Sequence, residues 1–277
     1  MFRTFFNCFN IIGSPVCGNK VTNFAEAYAR CYNLTGNPAC GANVINMSQT
    51  YYECYNLNGP AVCSPTVTNM CYGYYHCYNI NSAHFGPALN QVAFAIYSYQ
   101  GCNNIKCINI DMPNGWRIGG PTWVNSPFYG TDLSKVTNII FGPNCITASI
   151  CFASATTLTN NVNIIMGDNL TNIEEAFTQC TALRGTPVCG VKVTNMYGAY
   201  YHCYNLTGSP ACGDKVTNLV SAYDSCSNLI GNGLCPPSVT NMYGAYYHCY
   251  NLTSAHFGSG LSVYQTAGAA YQTCNNI

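Results

Sequence analysis

A cysteine recurs at a fixed interval along this chain, and that interval restricts the fold more than any other feature. Cys8, Cys31, Cys54 and Cys77 stand 23 residues apart, and Cys102 follows 25 later. Cys180, Cys203, Cys226 and Cys249 repeat the spacing, and Cys274 again follows 25 later. The second series is the first shifted by 172 residues, down to SAHFG at 82 and 254 and CNNI at 102 and 274. Ala155, in FASATTL, takes the cysteine place, and the gap from Cys102 to Ala155 fits two more turns, giving about twelve. A unit of 23 residues cannot bury an apolar face alone, but stacked on copies of itself it can. The amino terminus, MFRTFFNCFNIIGSPVCG, aligns without a gap on IEEAFTQCTALRGTPVCG at 173–190, so it reads as repeat and not as a signal peptide. The chain starts and ends within a repeat. That is expected of a piece of a longer array, or of ends that stack on something else.

One turn reads the same way relative to its cysteine throughout. Seven residues before it stands Met47, Met70, Met196 or Met242. Four before it is a small residue such as Ala27, Gly73 or Ala199; three before it is an aromatic such as Tyr28, Tyr51 or Phe177; three after it is Leu34, Leu57, Leu206, Leu229 or Leu252. These offsets predict one face of an α-helix. The Thr-Asn ahead of the Met offers N-cap side chains, and Gly and Pro after the Leu end the helix. About ten residues remain per turn for an extended segment and two turns.

The pattern V-T-N-M-x-x-(small/Met)-aromatic-x-x-C-x-x-L resembles the BspA-like bacterial leucine-rich repeats, over nearly the whole chain apart from about 108–150. The resemblance implies an α/β repeat solenoid, a right-handed superhelix with short helices on one face and a parallel sheet of short strands on the other. It would be a single leucine-rich-repeat-like solenoid over 1–277, with regular turns 1–107, an irregular insertion 108–150 and regular turns 151–277. The family strand alternates Ile, Leu or Val before a Pro. Here only NNIKCINIDMP, 103–113, does so, and most turns read like GSPACG, so short and irregular strands are expected.

The phase cysteines (Cys8, Cys31, Cys54, Cys77, Cys102, Cys180, Cys203, Cys226, Cys249 and Cys274) are read as structural core, small apolar groups with a weak S–H donor. Six turns carry a second cysteine nine residues on: Cys17, Cys40, Cys63, Cys189, Cys212 and Cys235. Obligate disulfide partners should disappear together, yet Cys77 and Cys249 keep the first and lack the second. Bridges between stacked turns stay open, since ~4.8 Å between equivalent positions falls within disulfide range. There is no C-x2-C pair and no His-x3-His spacing, so neither a metal nor another cofactor is expected.

Only 6% of residues are charged and the net charge is zero, against about 25% charged in an ordinary domain. Without clustered Lys and Arg, nucleic acid is not an expected partner. Without a run of ~18 apolar residues, membrane insertion is not expected. No G-x-S-x-G, H-E-x-x-H or Walker A motif occurs, and Glu174 and Glu175 are adjacent on a predicted helix and diverge, so no enzyme is expected. What remains is a surface rich in Tyr and Asn. The Tyr three before the cysteine belongs to the core, with a hydroxyl that must reach the rim or a carbonyl. The tyrosines two before and one after it face outward: Tyr52, Tyr55, Tyr75 and Tyr78, and then Tyr201, Tyr204, Tyr247 and Tyr250, interrupted by Asp224 and Ser227. Stacking would line them into a stripe that binds a ligand, or that packs on itself or on a neighbour. The stretch 108–150, with Trp116, Arg117, Trp123 and Tyr129, is either a second binding element or a bulge covering a defect in the stack. Five Asn-x-Ser/Thr sequons (Asn33, Asn46, Asn169, Asn205 and Asn251) are explained by turn chemistry.

These features point to a non-enzymatic recognition or adhesion solenoid. The resemblance implies display on a bacterial cell surface; a phage particle is the alternative setting. Its expected partner is a cell-surface glycan or protein, or copies of itself end to end. A structural, self-assembling scaffold or fibre element is the second reading.

Overall fold

The computed structural model describes residues 1–90, 94–114, 125–261 and 267–277. The chain divides into two compact units, Met1–Pro113 with Ile118–Ile140, and Asn114–Arg117 with Phe141–Ile277. Each is a parallel β-solenoid. Among the described residues seven strands are formed: β1 (Asn58–Pro60), β2 (Asn79–Phe85), β3 (Cys107–Ile110), β4 (Asn138–Phe141), β5 (Asn163–Ile165), β6 (Gly231–Asn232) and β7 (Leu252–Ser254). In the first unit β1 pairs with β2, and β2 with β3, with Ser82 opposite Cys107 and Phe85 opposite Ile110. In the second, β6 pairs with β7, Gly231 opposite Leu252. Among the described residues seven turns therefore carry strands, fewer than the about twelve strand-bearing turns that the repeat count implied. The longest, β2, and the regular β3 lie at SAHFG and CINI, and the GSPACG-like turns have short strands or none, as their Pro and Gly dictate.

The expected helices are absent: among the described residues no α-helix forms. The segment before each cysteine is a series of tight turns. Residues five and one before it adopt positive φ, as at Glu26 (52°) and Arg30 (62°), or Ser221 (48°) and Ser225 (62°). Alternate amides close local turns, Ala27 to Phe24, Ala29 to Glu26 and Cys31 to Tyr28. The amides between them point sideways into the next turn, Phe24 to Asn46, Glu26 to Ser48, Tyr28 to Thr50 and Arg30 to Tyr52. A helix would need those same amides for its own axis. The offsets that suggested a helical face hold for burial. Met47, Ala199, Tyr200, Cys203 and Leu229 are fully enclosed. The apolar spacing is the same in both backbones; the hydrogen-bond direction is not.

The asparagine of V-T-N closes a turn instead of capping a helix. Asn23, Asn46, Asn69, Asn195, Asn218 and Asn241 each accept, through Oδ1, the amide two residues on, at 2.9–3.2 Å. Their backbones pair one residue at a time, Asn23 to Asn46 to Asn69 and Asn172 through Asn195 and Asn218 to Asn241.

The core tyrosine crosses the inside of its turn. Tyr51 Oη accepts the Ala39 amide at 2.9 Å and donates to the Ala39 carbonyl at 2.6 Å. Tyr200 does the same with Val188, at 3.1 and 2.8 Å, and Tyr246 with Leu234, at 3.0 and 2.7 Å. Where the residue half a turn back lies in a strand, as Ile140 in β4 and Ile165 in β5, the aromatic is Phe152 or Phe177. Tyrosine thus replaces the missing sheet partner, and phenylalanine suffices where a strand supplies it. Tyr99, on His84 of β2, is the exception.

All twenty cysteines are free thiols. Nine of the phase cysteines donate S–H to the carbonyl three residues before the preceding turn's phase position, as Cys54 to Tyr28 and Cys203 to Phe177, at 3.0–3.1 Å. Thr131 does so with a hydroxyl, to Tyr99 at 2.9 Å. Cys8 departs from the core assignment. It is exposed, and Cys274 is half-buried.

Candidate ligand-binding face

The turn segments present three columns of side chains to solvent: those five, two and one before the cysteine. A fourth column follows one after it. In the first unit the fourth column is a ladder of rings. Phe9 stacks on Tyr32 at 5.1 Å, Tyr32 on Tyr55 at 5.0 Å and Tyr55 on Tyr78 at 5.4 Å, within 20° of parallel. Beside it Tyr52 stacks on Tyr75 at 4.7 Å and 3°. The outward tyrosines of this half do form a stripe, but their faces are turned to one another. Edges and hydroxyls are what meets solvent. Tyr72, Tyr97 and Tyr129 continue the aromatic surface, in a tilted contact at 5.3 Å and an edge-on one at 5.6 Å. Trp116, Arg117 and Trp123 lie outside the described residues.

In the second unit Tyr201 and Tyr204 bracket His202, at 3.9 and 5.4 Å, and Tyr247 and Tyr250 bracket His248, at 3.8 and 5.9 Å. His76 lies between Tyr75 and Tyr78 in the same way, at 4.0 and 5.6 Å. Each histidine precedes a buried cysteine and turns outward at positive φ, 57° for His76 and 58° for the other two. Gly101, one turn beyond His76, has φ 77°, and a Cβ there would stand 2.5 Å from His76 Cδ2. Partial burial lowers the His76 pKa, and the Glu53 carboxylate works against that shift.

A groove of about 500 Å³ runs beside the first unit's rings, lined by Arg3, Phe6, Glu26, Ala29, Arg30, Gln49, Tyr52 and Tyr72. Arg3 grips Glu26 through two bonds of 2.7 and 3.1 Å, and Arg30 pairs with Glu53 at 3.4 Å. Each pair is one repeat apart, so opposite charges meet across adjacent turns as they do across paired strands. Exposed pairs of this kind contribute about 0–1 kcal/mol. They hold planar polar groups beside the aromatic rings. Arg30 also lies over the Tyr52 ring, 5.8 Å from its centre. Arg3, Glu26, Arg30, Gln49 and Tyr72 escaped the sequence reading, although charges of opposite sign spaced by 23 residues were a usable signal.

The buried thiols are poor nucleophiles. Burial pushes Cys31 and Cys40 to about 11 and Cys63 and Cys180 to about 12, so they stay protonated near neutrality. The sequon asparagines are all engaged. Asn33, Asn205 and Asn251 donate to the preceding turn at 2.7–3.1 Å, Asn169 to Pro143 at 2.9 Å, and Asn46 holds the Ser48 amide.

No protein-family description matches the chain, and no curated protein matches it. Among solved structures it is similar to a leucine-rich repeat protein from Bacteroides ovatus ATCC 8483, at 16% identity and a TM-score of 0.37, covering 95% of this chain and 76% of that one. The two backbones differ widely at that score.

Proposed function

We propose that this chain is a non-enzymatic recognition solenoid of the BspA-like kind, displayed on a bacterial surface or a phage particle, which holds a neutral ligand such as a glycan. One observation carries this reading: stacked outward rings beside a groove of paired, hence neutralised, charges. Rigid rings present contact area at low entropy cost, and fixed guanidinium, carboxylate and amide groups match the hydroxyls of a sugar. Protein partners share part of this chemistry, but a chain with 6% charged residues offers few of the charged groups that rim most protein interfaces.

The test is a glycan array with the full chain, followed by titration of the best hit against Tyr52→Ala and Tyr72→Ala. Both rings line the groove, and each change is expected to weaken binding at least tenfold. Wild-type affinity in both would sink the reading. The competing reading, a self-assembling scaffold, is favoured by the exposed apolar side chains Phe2, Phe9, Ile12 and Val16. It predicts an oligomer in light scattering that survives dilution and no hit on the array.

A further inference from the structure

The ring ladder is complete at the turn of Cys54 and broken at the turn of Cys226, its counterpart under the 172-residue duplication. In the first, Tyr55 lies between Tyr32 and Tyr78, at 5.0 and 5.4 Å and at 5° and 13° to them. In the second, Ser227 takes the place of Tyr55, while Tyr204 and Tyr250 take those of Tyr32 and Tyr78. The backbone keeps its register across the break. Asn228 Nδ2 donates to the Tyr204 carbonyl at 2.9 Å, and Asn251 Nδ2 to the Ser227 carbonyl at 3.0 Å. Asn56 and Asn79 make the same bonds, at 3.0 and 3.1 Å, around Tyr55. A ring is missing, and the turn that would carry it has not moved.

Two steps of ~5 Å separate the flanking ring positions, and each aromatic face takes up ~1.7 Å of that, so about 6–7 Å remains clear. A cavity of about 160 Å³ fills the place, lined by Tyr204, Ser225, Ser227, His248 and Tyr250. That is room for one six-membered ring, somewhat thicker than a flat aromatic one. Its rim is polar. Ser225 gives its hydroxyl proton to Asp224 at 2.8 Å, which leaves its oxygen lone pairs to accept. His248 is inclined 60° to Tyr250, where His202 lies at 26° to Tyr204, so the slot has an imidazole on one side that is not stacked flat.

We propose that this slot binds a single pyranose ring, its two faces covered by Tyr204 and Tyr250 and its hydroxyls met by Ser225, Ser227 and His248. The puckered ring fills the gap better than a planar one, and its rim of hydroxyls suits the serines and the imidazole, which a phenyl edge would leave unpaired. The proposal rests on the glycan reading above and places one sugar subsite within it.

The deciding variant is Ser227→Tyr, which supplies the ring that the ladder already tolerates at 55 and so should fold with unchanged or higher thermal stability. Saturation-transfer NMR and titration calorimetry would use the full chain with methyl glycosides of glucose, galactose, mannose and N-acetylglucosamine. The wild type should bind at least one of them, and Ser227→Tyr should lose at least tenfold in affinity. Tyr55→Ser should open a second slot and raise the pyranoside stoichiometry by one site. Three outcomes overturn the proposal: no pyranoside binds, Ser227→Tyr binds as the wild type does, or p-cresol binds in preference to every pyranoside. If array glycans still bind Ser227→Tyr unchanged and the groove variants abolish that binding, the slot falls and the recognition reading stands.

Discussion

Tyr200 is the clearest case of a residue whose role lies in its last atom. Its ring packs as Phe177 does one turn earlier, but its hydroxyl serves both the amide and the carbonyl of Val188. Tyr200→Phe should cost about 1–2 kcal/mol, because the ring stays and two backbone groups lose their partner. A urea midpoint equal to wild type would refute this. Cys203 is a parallel case, a buried thiol whose S–H reaches Phe177 O. Cys203→Ala should cost about 1–2 kcal/mol, and Cys203→Thr, with the donor that Thr131 uses, should retain more stability than the alanine variant. Equal midpoints for the two variants would reduce the thiol to a space-filler. The inward placing of both residues was legible from their spacing. Their partners were not, since Val188 and Phe177 are found by folding the turn back and by stacking it on its neighbour.

Among elements, the turn segment is where sequence reasoning and structure part company. Met, small residue, aromatic, cysteine and leucine fall on one side of an α-helix and equally on one side of a run of tight turns. Their positions in sequence cannot separate the two. Amides that alternate between local and sideways bonds separate them, and so do Glu26 and Arg30 at positive φ. Far-ultraviolet circular dichroism should therefore lack the paired negative bands of an α-helix, and their presence at appreciable strength would contradict this backbone. Asn195 holds the start of one such segment. Its Oδ1 accepts the Tyr197 amide and the Asn218 Nδ2, both at 3.0 Å. Asn195→Ala should cost about 1–2 kcal/mol, measured by thermal unfolding, since the loss resembles that of a cap. The candidate site shows the same division. The outward tyrosines could be picked out from their offsets. Their mutual stacking and the groove beside Tyr52 depend on which turn lies against which.

At the scale of the whole molecule, each turn is held by its neighbours, so turns should be removable as units. Excising residues 204–226 joins Cys203 to Ser227 in phase and should leave a folded chain with a modest loss of stability. Excising 204–214 shifts the phase by half a turn and should abolish cooperative unfolding. Similar melting of the two deletions would count against the stacked unit. Alkali should also act on the whole array. The buried thiols have folded pKa values above their ordinary value of 9.0, Cys31 and Cys40 at about 11 and Cys180 at about 12. The folded state therefore binds more protons than the unfolded one above pH 9, and stability falls as pH rises. The contribution is complete below pH 9 and is lost as pH climbs through 11 to 12. A denaturation midpoint that holds flat from pH 8 to 11 would refute it.

The linear order of residues was enough to set the length of the turn, to divide inward from outward side chains and to require stacking, because a 23-residue unit has no other way to cover its apolar side. It left the backbone path open between helix and serial turns. That choice is made by the adjacent turn, whose carbonyls lie ~4.8 Å away and capture every second amide. Without that neighbour the sideways amides have no acceptor; with it, the positive-φ residues that aim them become worth their strain.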